Sequence, residues 1–162
     1  MAPDTASHLL FTYGTLMLTT GIAAVDEAMR RAGISLGRAY VHGMLFDLGD
    51  YPGAVPAVPD SRDEDAPKVW GHLLRLDDPA ALFSVLDPYE GFVAGNPSAS
   101  EFVRAETRVT LVGDGRELQG QIYWYNFPAA GMPRIEGGDF LAHWAAKGKL
   151  RQARLPHDPP AA

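Results

Sequence analysis

The chain has no cysteine, which excludes a disulfide framework, a thiolate nucleophile and a cysteine-ligated metal, and leaves the redox compartment open. It also has no apolar run near the ~18 residues that a membrane-crossing helix needs. The opening segment MAPDTASHLLF has neither a basic start nor a long apolar core, so a cytoplasmic protein with no membrane partner is expected. Positive charge is in deficit: 14 Lys and Arg against 20 Asp and Glu give a formal charge of −6. That sign is wrong for neutralising a phosphate backbone, and nucleic acid is not an expected partner.

Several catalytic signatures are missing as well. There is no GxxxxGK[ST] loop and no GxGxxG after a strand, so nucleotide binding has no support. No GxSxG elbow occurs, and Ser84 falls within an apolar helical pattern, where a nucleophile would be badly displayed. His8, His42, His72, His143 and His157 never fall at HxH or HxxxH spacing, so no metal or cofactor is expected. Only His42 and His72 are left as a pair that adjacent strands might bring together, against the plainer reading of two independent strand histidines. No segment recurs at a fixed period, which sets aside solenoids and propellers.

What remains is a chain of 162 residues with 46% hydrophobic and 21% charged residues, the length and composition of one globular domain. The domain is expected over residues 8–150, after a flexible start at 1–7 and before a Pro-rich tail at 151–162. The 17 Gly and 13 Pro indicate many shaped turns.

Leu9-Leu10-Phe11-Thr12-Tyr13 reads as a buried strand that stops at Gly14. Residues 22–32 carry Ile22, Val25, Ala28 and Met29 at helical spacing, with Gly33 as the expected cap. Residues 34–48 alternate as a strand, residues 49–67 form a loop with one short edge strand at 54–58, and residues 69–76 form another strand. Asp77-Asp78-Pro79 opens a brief helix that Pro88 is expected to end at or before Asp87. Two long strands, 102–112 and 118–127, join across Gly113-Asp114-Gly115, and a short helix follows with Phe140, Leu141 and Trp144. The class is α+β, a small mixed, barrel-like sheet with a few short helices; strand order and oligomeric state are not legible.

Two loops combine a bent backbone with groups able to act. Tyr13-Gly14-Thr15-Leu16 is either a plain turn or a place where successive N–H groups converge on a carboxylate or developing oxyanion. Leu86-Asp87-Pro88-Tyr89-Glu90-Gly91 is either a solvated loop or one in which burial raises the Glu90 carboxyl toward the range useful to a base.

Together these two stretches resemble the γ-glutamylcyclotransferase-like, or AIG2-like, family. Further stretches resemble it in the family's order: Gly43 to Gly53 with its Tyr51-Pro52 turn, Val69 to Leu73, Glu101 to Arg104, Gly120 to Tyr125, and Ile135 to Phe140. The resemblance runs from about Leu9 to Trp144. It implies a cavity between the two loops and a reaction in which the α-amine of a γ-glutamyl group attacks its own γ-carbonyl, releasing an amine or amino acid and 5-oxoproline. By position it makes Glu90 the catalytic general acid/base and Tyr13, Gly14, Thr15 and Leu16 the substrate-binding loop, with Tyr51 and Tyr125 either lining the cavity or packing in the core. The expected partner is a small γ-glutamyl molecule, and the rival reading is a binding module that retains such a molecule without turning it over. The first loop departs from many relatives in continuing as Met17-Leu18 where a basic residue is common, which removes one counter-charge for an anionic substrate.

Overall fold

The computed structural model describes residues 8–18, 20–57 and 66–147. The proposed flexible start at 1–7, the tail at 151–162 and Val58 of the expected edge strand lie outside the described residues. Within them are strands β1 (Leu9–Thr12), β2 (Gly33–Asp47), β3 (Pro52–Pro56), β4 (Lys68–Leu76), β5 (Phe102–Leu111), β6 (Glu117–Tyr125) and β7 (Arg134–Ile135), with helices α1 (Ala23–Arg30), α2 (Pro79–Tyr89) and α3 (Phe140–Ala146).

The sheet runs β3-β2-β4-β1-β6-β5, and a further β2–β5 pairing closes five of these strands into a barrel. Every pairing is antiparallel except β1 with β6. The mixed, barrel-like α+β architecture expected from the sequence is the one observed. β2 is long enough to serve several neighbours at once: its first part pairs β4, Ala39 and Tyr40 also meet β5, and its last residues pair β3 and β7.

The unbroken apolar run of β1 follows from its place between two cores. Leu9, Phe11 and Tyr13 join a cluster with Val41, Leu73, Val109 and Ile122. Leu10 instead joins Val25, Leu82, Phe83 and Leu86 of the helices together with Phe102 and Tyr123. Alternate side chains of a strand point to opposite faces, so a strand at the barrel wall under a helical layer is apolar on both.

Three local expectations are corrected. Helix α1 ends at Arg30, and Gly33 opens β2 where it was expected as a helix cap. The reason is space: a Cβ on Gly33 would sit 1.8 Å from the Arg75 carbonyl oxygen across the β2–β4 pair. The edge strand starts two residues earlier than expected, at Pro52, which is tolerable because a proline lacking its N–H fits the first position of an edge strand. Helix α2 passes through Pro88 to Tyr89. It begins as expected, with Asp78 accepting from the Ala81 N–H at 3.2 Å. Its end is held by the Gly91 N–H on the Pro88 carbonyl and the Phe92 N–H on the Asp87 carbonyl, at 3.1 and 2.9 Å, with Gly91 at φ +70°. This paired closure around a left-handed glycine satisfies the last carbonyls, and the helix runs two residues past Asp87, where Pro88 alone suggests its end.

His42 faces Lys68 and His72 faces Arg38 in the β2–β4 register, so the two histidines do not meet. Among the described residues no helix is long and apolar enough to cross a membrane.

Closure brings backbones into contact at Gly71, where a Cβ would lie 1.9 Å from the Thr12 carbonyl oxygen. Gly71→Ala is expected to push β4 off β1 at a cost on the order of 2 kcal/mol or more, lowering the melting temperature by roughly 4 °C or more. An unchanged melting curve would contradict this β1–β4 packing.

Candidate active site

The strand end at Tyr13 is followed by a 3-10 turn, Thr15–Met17. The start of such a turn leaves N–H groups without intrahelical partners. Gly14 is required by contact: Pro52 Cγ would be 2.8 Å from a Cβ there, so the first loop and the Tyr51-Pro52 turn press directly together. Across from them stands the end of α2. Thr15 Oγ1 and the Tyr89 hydroxyl lie 3.2 Å apart and link the two walls. Between these elements is a cavity of about 560 Å³, whose lining includes Gly14, Thr15, Leu16, Tyr51, Glu90 and Glu101.

Glu90 is the residue after the last turn of α2, its N–H bonded to the Leu86 carbonyl at 2.8 Å. Its backbone is therefore part of the helix end. A set of contacts on the preceding turn fixes that end to the barrel. Arg104 of β5 grips Asp87 with Nε and Nη2, at 2.9 and 3.1 Å. The Tyr123 hydroxyl of β6 donates to the same carboxylate at 2.6 Å, and Arg104 Nη1 donates to Gln121 Oε1 at 3.2 Å. The guanidinium also lies 4.0 Å from the Phe83 ring centre, so its charge is held between a carboxylate and an aromatic face. Arg104 and Tyr123 are direct cross-strand neighbours.

The electrostatics of Glu90 follow from this placement. Burial, and then the negative charges of Glu101 and Asp87, push its carboxyl up to about 8. Arg104 is engaged with Asp87, and no hydrogen bond or ion pair holds the Glu90 carboxyl among the described residues. The phenols around it move the other way from usefulness as bases. Burial raises Tyr89 and Tyr123, and a hydrogen bond to Glu101 followed by burial raises Tyr51. They stay neutral donors, so proton acceptance at this site falls to carboxylates.

The structure brings Glu90, Gly14, Thr15, Leu16 and Tyr51 to one cavity and treats the other two aromatic candidates differently. Tyr13 borders the cavity, but its hydroxyl donates to the Tyr123 carbonyl at 2.6 Å and accepts from the Ala54 N–H at 3.2 Å. It is a buried strap between β6 and β3. Tyr125 is not among the lining residues; it is partly exposed, and its ring packs 5.4 Å from that of Phe102, which itself lines the cavity.

Several lining residues escaped sequence reasoning. Glu101 receives a hydrogen bond from the Tyr51 hydroxyl, and Trp144 of α3 closes part of the wall. Helix α3 is pinned by Asp47, which accepts from His143 Nε2 at 2.9 Å and Lys147 Nζ at 2.5 Å. Strand alternation from the Arg104–Tyr123 pair is the signal that marks the β5–β6 face, but nothing local marks the approach of α3. Ser84 donates to the Ala81 carbonyl on the exposed side of α2, outside the cavity.

A five-stranded barrel with a cavity of small-molecule size between a strand-end loop and a helix-borne carboxyl is the architecture on which the comparisons bear. The chain belongs to the γ-glutamyl cyclotransferase, AIG2-like family, whose model matches residues 10–142. Among solved structures it resembles YkqA from Bacillus subtilis at 22% identity and a TM-score of 0.59, over 88% of this chain and 42% of that one. An AIG2-like protein from Mus musculus matches at 18% identity and a TM-score of 0.55, over 80% of this chain and 86% of the other. The ytfP protein of Escherichia coli matches at 25% identity and a TM-score of 0.50, over 83% and 97%. The chain thus spans less than half of the Bacillus protein and most of the other two. No curated protein sequence matches it.

The raised carboxyl has a consequence for stability. A folded-state value near 8 against an ordinary 4.5 means that the native state binds the Glu90 proton more tightly than the unfolded chain does. Its contribution therefore favours folding below about pH 4.5 and is progressively lost as the pH rises toward 8. Urea unfolding of Glu90→Gln should show a variant that gains stability over wild type at pH 9 relative to pH 5. A pH-independent difference would mean that the carboxyl is solvated.

Proposed function

We propose that the chain is an amide-cleaving cyclotransferase that releases 5-oxoproline from a γ-glutamyl amine or γ-glutamyl amino acid, with Glu90 as general acid/base. The observation that carries this reading is an unpartnered, partly buried carboxyl that shares a cavity of small-molecule size with a strand-end loop.

In the reaction the α-nitrogen bonds to the γ-carbonyl carbon and the amide C–N bond breaks. Starting from the α-ammonium, two protons leave the attacking nitrogen and two reach the departing one. A carboxyl that is about half ionised near neutral to mildly alkaline pH serves both directions, accepting a proton from the α-nitrogen and returning it to the leaving amine. The raised value of Glu90 suits that double duty.

Gly14, Thr15 and Leu16 are assigned the polar end of the substrate, through N–H groups left open at the start of the 3-10 turn. Those donors would hold either the α-carboxylate or the oxyanion that develops on the γ-carbonyl. Tyr51 is assigned a binding role through its ring and the free lone pair of its hydroxyl oxygen, since the hydroxyl hydrogen goes to Glu101. Tyr13 is assigned to the wall, since its hydroxyl is already used, and Tyr125 to a supporting contact with the lining residue Phe102. The product ring has five members, so the main demands on the protein are to fold the substrate back on itself and to exclude water.

Glu90→Gln keeps the shape and removes the base. It should lower the rate of 5-oxoproline release from a γ-glutamyl amide panel by roughly 100-fold or more, with binding retained in calorimetry. Release at the wild-type rate would remove Glu90 from the mechanism, and binding by wild type without any product would favour the binding-module reading.

A further inference from the structure

One carboxylate serves two parts of the cavity wall. Asp47, the last residue of β2, is buried, and its two oxygens have separate tasks. Oδ1 accepts from the Gly49 N–H at 2.9 Å and so shapes the turn that leads into Tyr51 and Pro52. Oδ2 accepts from His143 Nε2 at 2.9 Å and from Lys147 Nζ at 2.5 Å, two side chains one helical turn apart on α3. Burial on its own would raise this carboxyl, but the hydrogen bonds from Lys147, His143 and Gly49 outweigh it and hold the group well below the usual carboxylate range. Asp47 is therefore an anion, and its contacts to α3 are charge-assisted.

Trp144 follows His143 in the chain and lines the cavity, as do Gly49, Asp50 and Tyr51 of the turn. Helix α3 has seven residues, too few to persist without tertiary contacts. Its start is fixed by Phe140, buried in the barrel core, and by Arg38 on Asp139 at 3.1 Å. The rings of Phe140 and Trp144 are 4.4 Å apart, so the tryptophan rests on that anchor. The other end of the helix is tied to β2 through Asp47 Oδ2. Glu90 is placed by a different set of hydrogen bonds, those of Arg104 and Tyr123 to Asp87.

We propose that Asp47 is a positioning residue: through His143 and Lys147 it holds α3 against the barrel so that Trp144 contacts the bound ligand, and it thereby governs binding, while the end of α2 governs the chemistry. The turnover assay of this idea rests on the cyclotransferase reading; the fastening of Trp144 does not. A wall that touches ground state and transition state alike contributes uniform binding, so loosening it raises KM and leaves kcat in place.

The test compares Asp47→Asn, Lys147→Met, their double variant and Trp144→Ala. Asparagine keeps an acceptor for the Gly49 N–H but turns an amide NH2 toward the α3 donors, and methionine removes the cation from the other side at similar length. Release of 5-oxoproline from γ-glutamyl butylamide is measured well below each melting temperature. Asp47→Asn and Lys147→Met should each raise KM by roughly fivefold with kcat within about twofold, and Trp144→Ala should raise it at least as much. The double variant should be no worse than the larger single effect, because both changes release one latch. Acrylamide quenching without ligand is measured alongside, with the Trp144 emission taken as the difference from Trp144→Phe, since the chain has three tryptophans; both latch variants should expose it. A folded Asp47→Asn with unchanged KM overturns the proposal, as does a loss in kcat alone or fully additive effects of the two changes. If Asp47→Asn does not fold, Lys147→Met decides on the same readings. If wild type releases no 5-oxoproline from this amide, quenching decides: greater exposure of Trp144 in the latch variants sustains the positioning role, and unchanged exposure ends it. Failure of wild type across a full γ-glutamyl amide panel counts against the cyclotransferase reading alone.

Discussion

The pairing of Arg104 with Asp87 is the contact on which the rest of the site depends. It joins a barrel strand to the last turn of a helix, and that turn ends at Glu90. The pair is partly shielded, about a quarter exposed on the arginine side, and it is not isolated. Tyr123 and Gln121 complete its hydrogen bonds, and Phe83 and Phe92 cover the guanidinium. A charge pair removed from water is useful only when its remaining donors and acceptors are satisfied, as they largely are here. The effect is to hold a helix end rigidly against the sheet without placing a cation on the next carboxyl.

That last point explains how one segment contains two acids of opposite character. Asp87 sits among donors, its carboxylate accepting from Arg104 and the Tyr123 hydroxyl. Glu90, three residues later, has burial and two negative neighbours and no donor. The end of α2 therefore provides an anchor at Asp87 and, three residues on, a carboxyl that burial and its neighbours raise. The Gly91 closure lets the chain leave the helix at once, so that Glu90 faces the cavity wall instead of a continuing helix.

Much of this was readable in local pattern. The strands, the α2 cap at Asp78, the Asp114-Gly115 turn between the last long strands, and the two loops that frame the cavity were legible because turn chemistry and alternation act over a few residues. The failures were also physical. Pro88 looked like a stop, yet the grip of Arg104 on Asp87, seventeen positions apart, and the glycine closure accompany a turn that stays helical. Gly33 looked like a cap and proved to be a site of close backbone approach to Arg75. Tyr13 was legible as a residue of the first loop and does line the cavity, while the use of its hydroxyl by Tyr123 and Ala54 was not legible, because both partners are distant in the chain.

By itself the sequence determined the class of fold, the position of the two bent loops and the presence of a carboxyl at the end of an anchored helix, all of which rest on short-range backbone preference and hydrophobic period. Only the tertiary structure decided that the barrel closes through β2 and β5, that Tyr125 packs against Phe102, and that Glu101 shares a cavity with Glu90. Those facts depend on which distant segments meet, and the charge environment of a carboxyl is a sum over such neighbours that no local window contains.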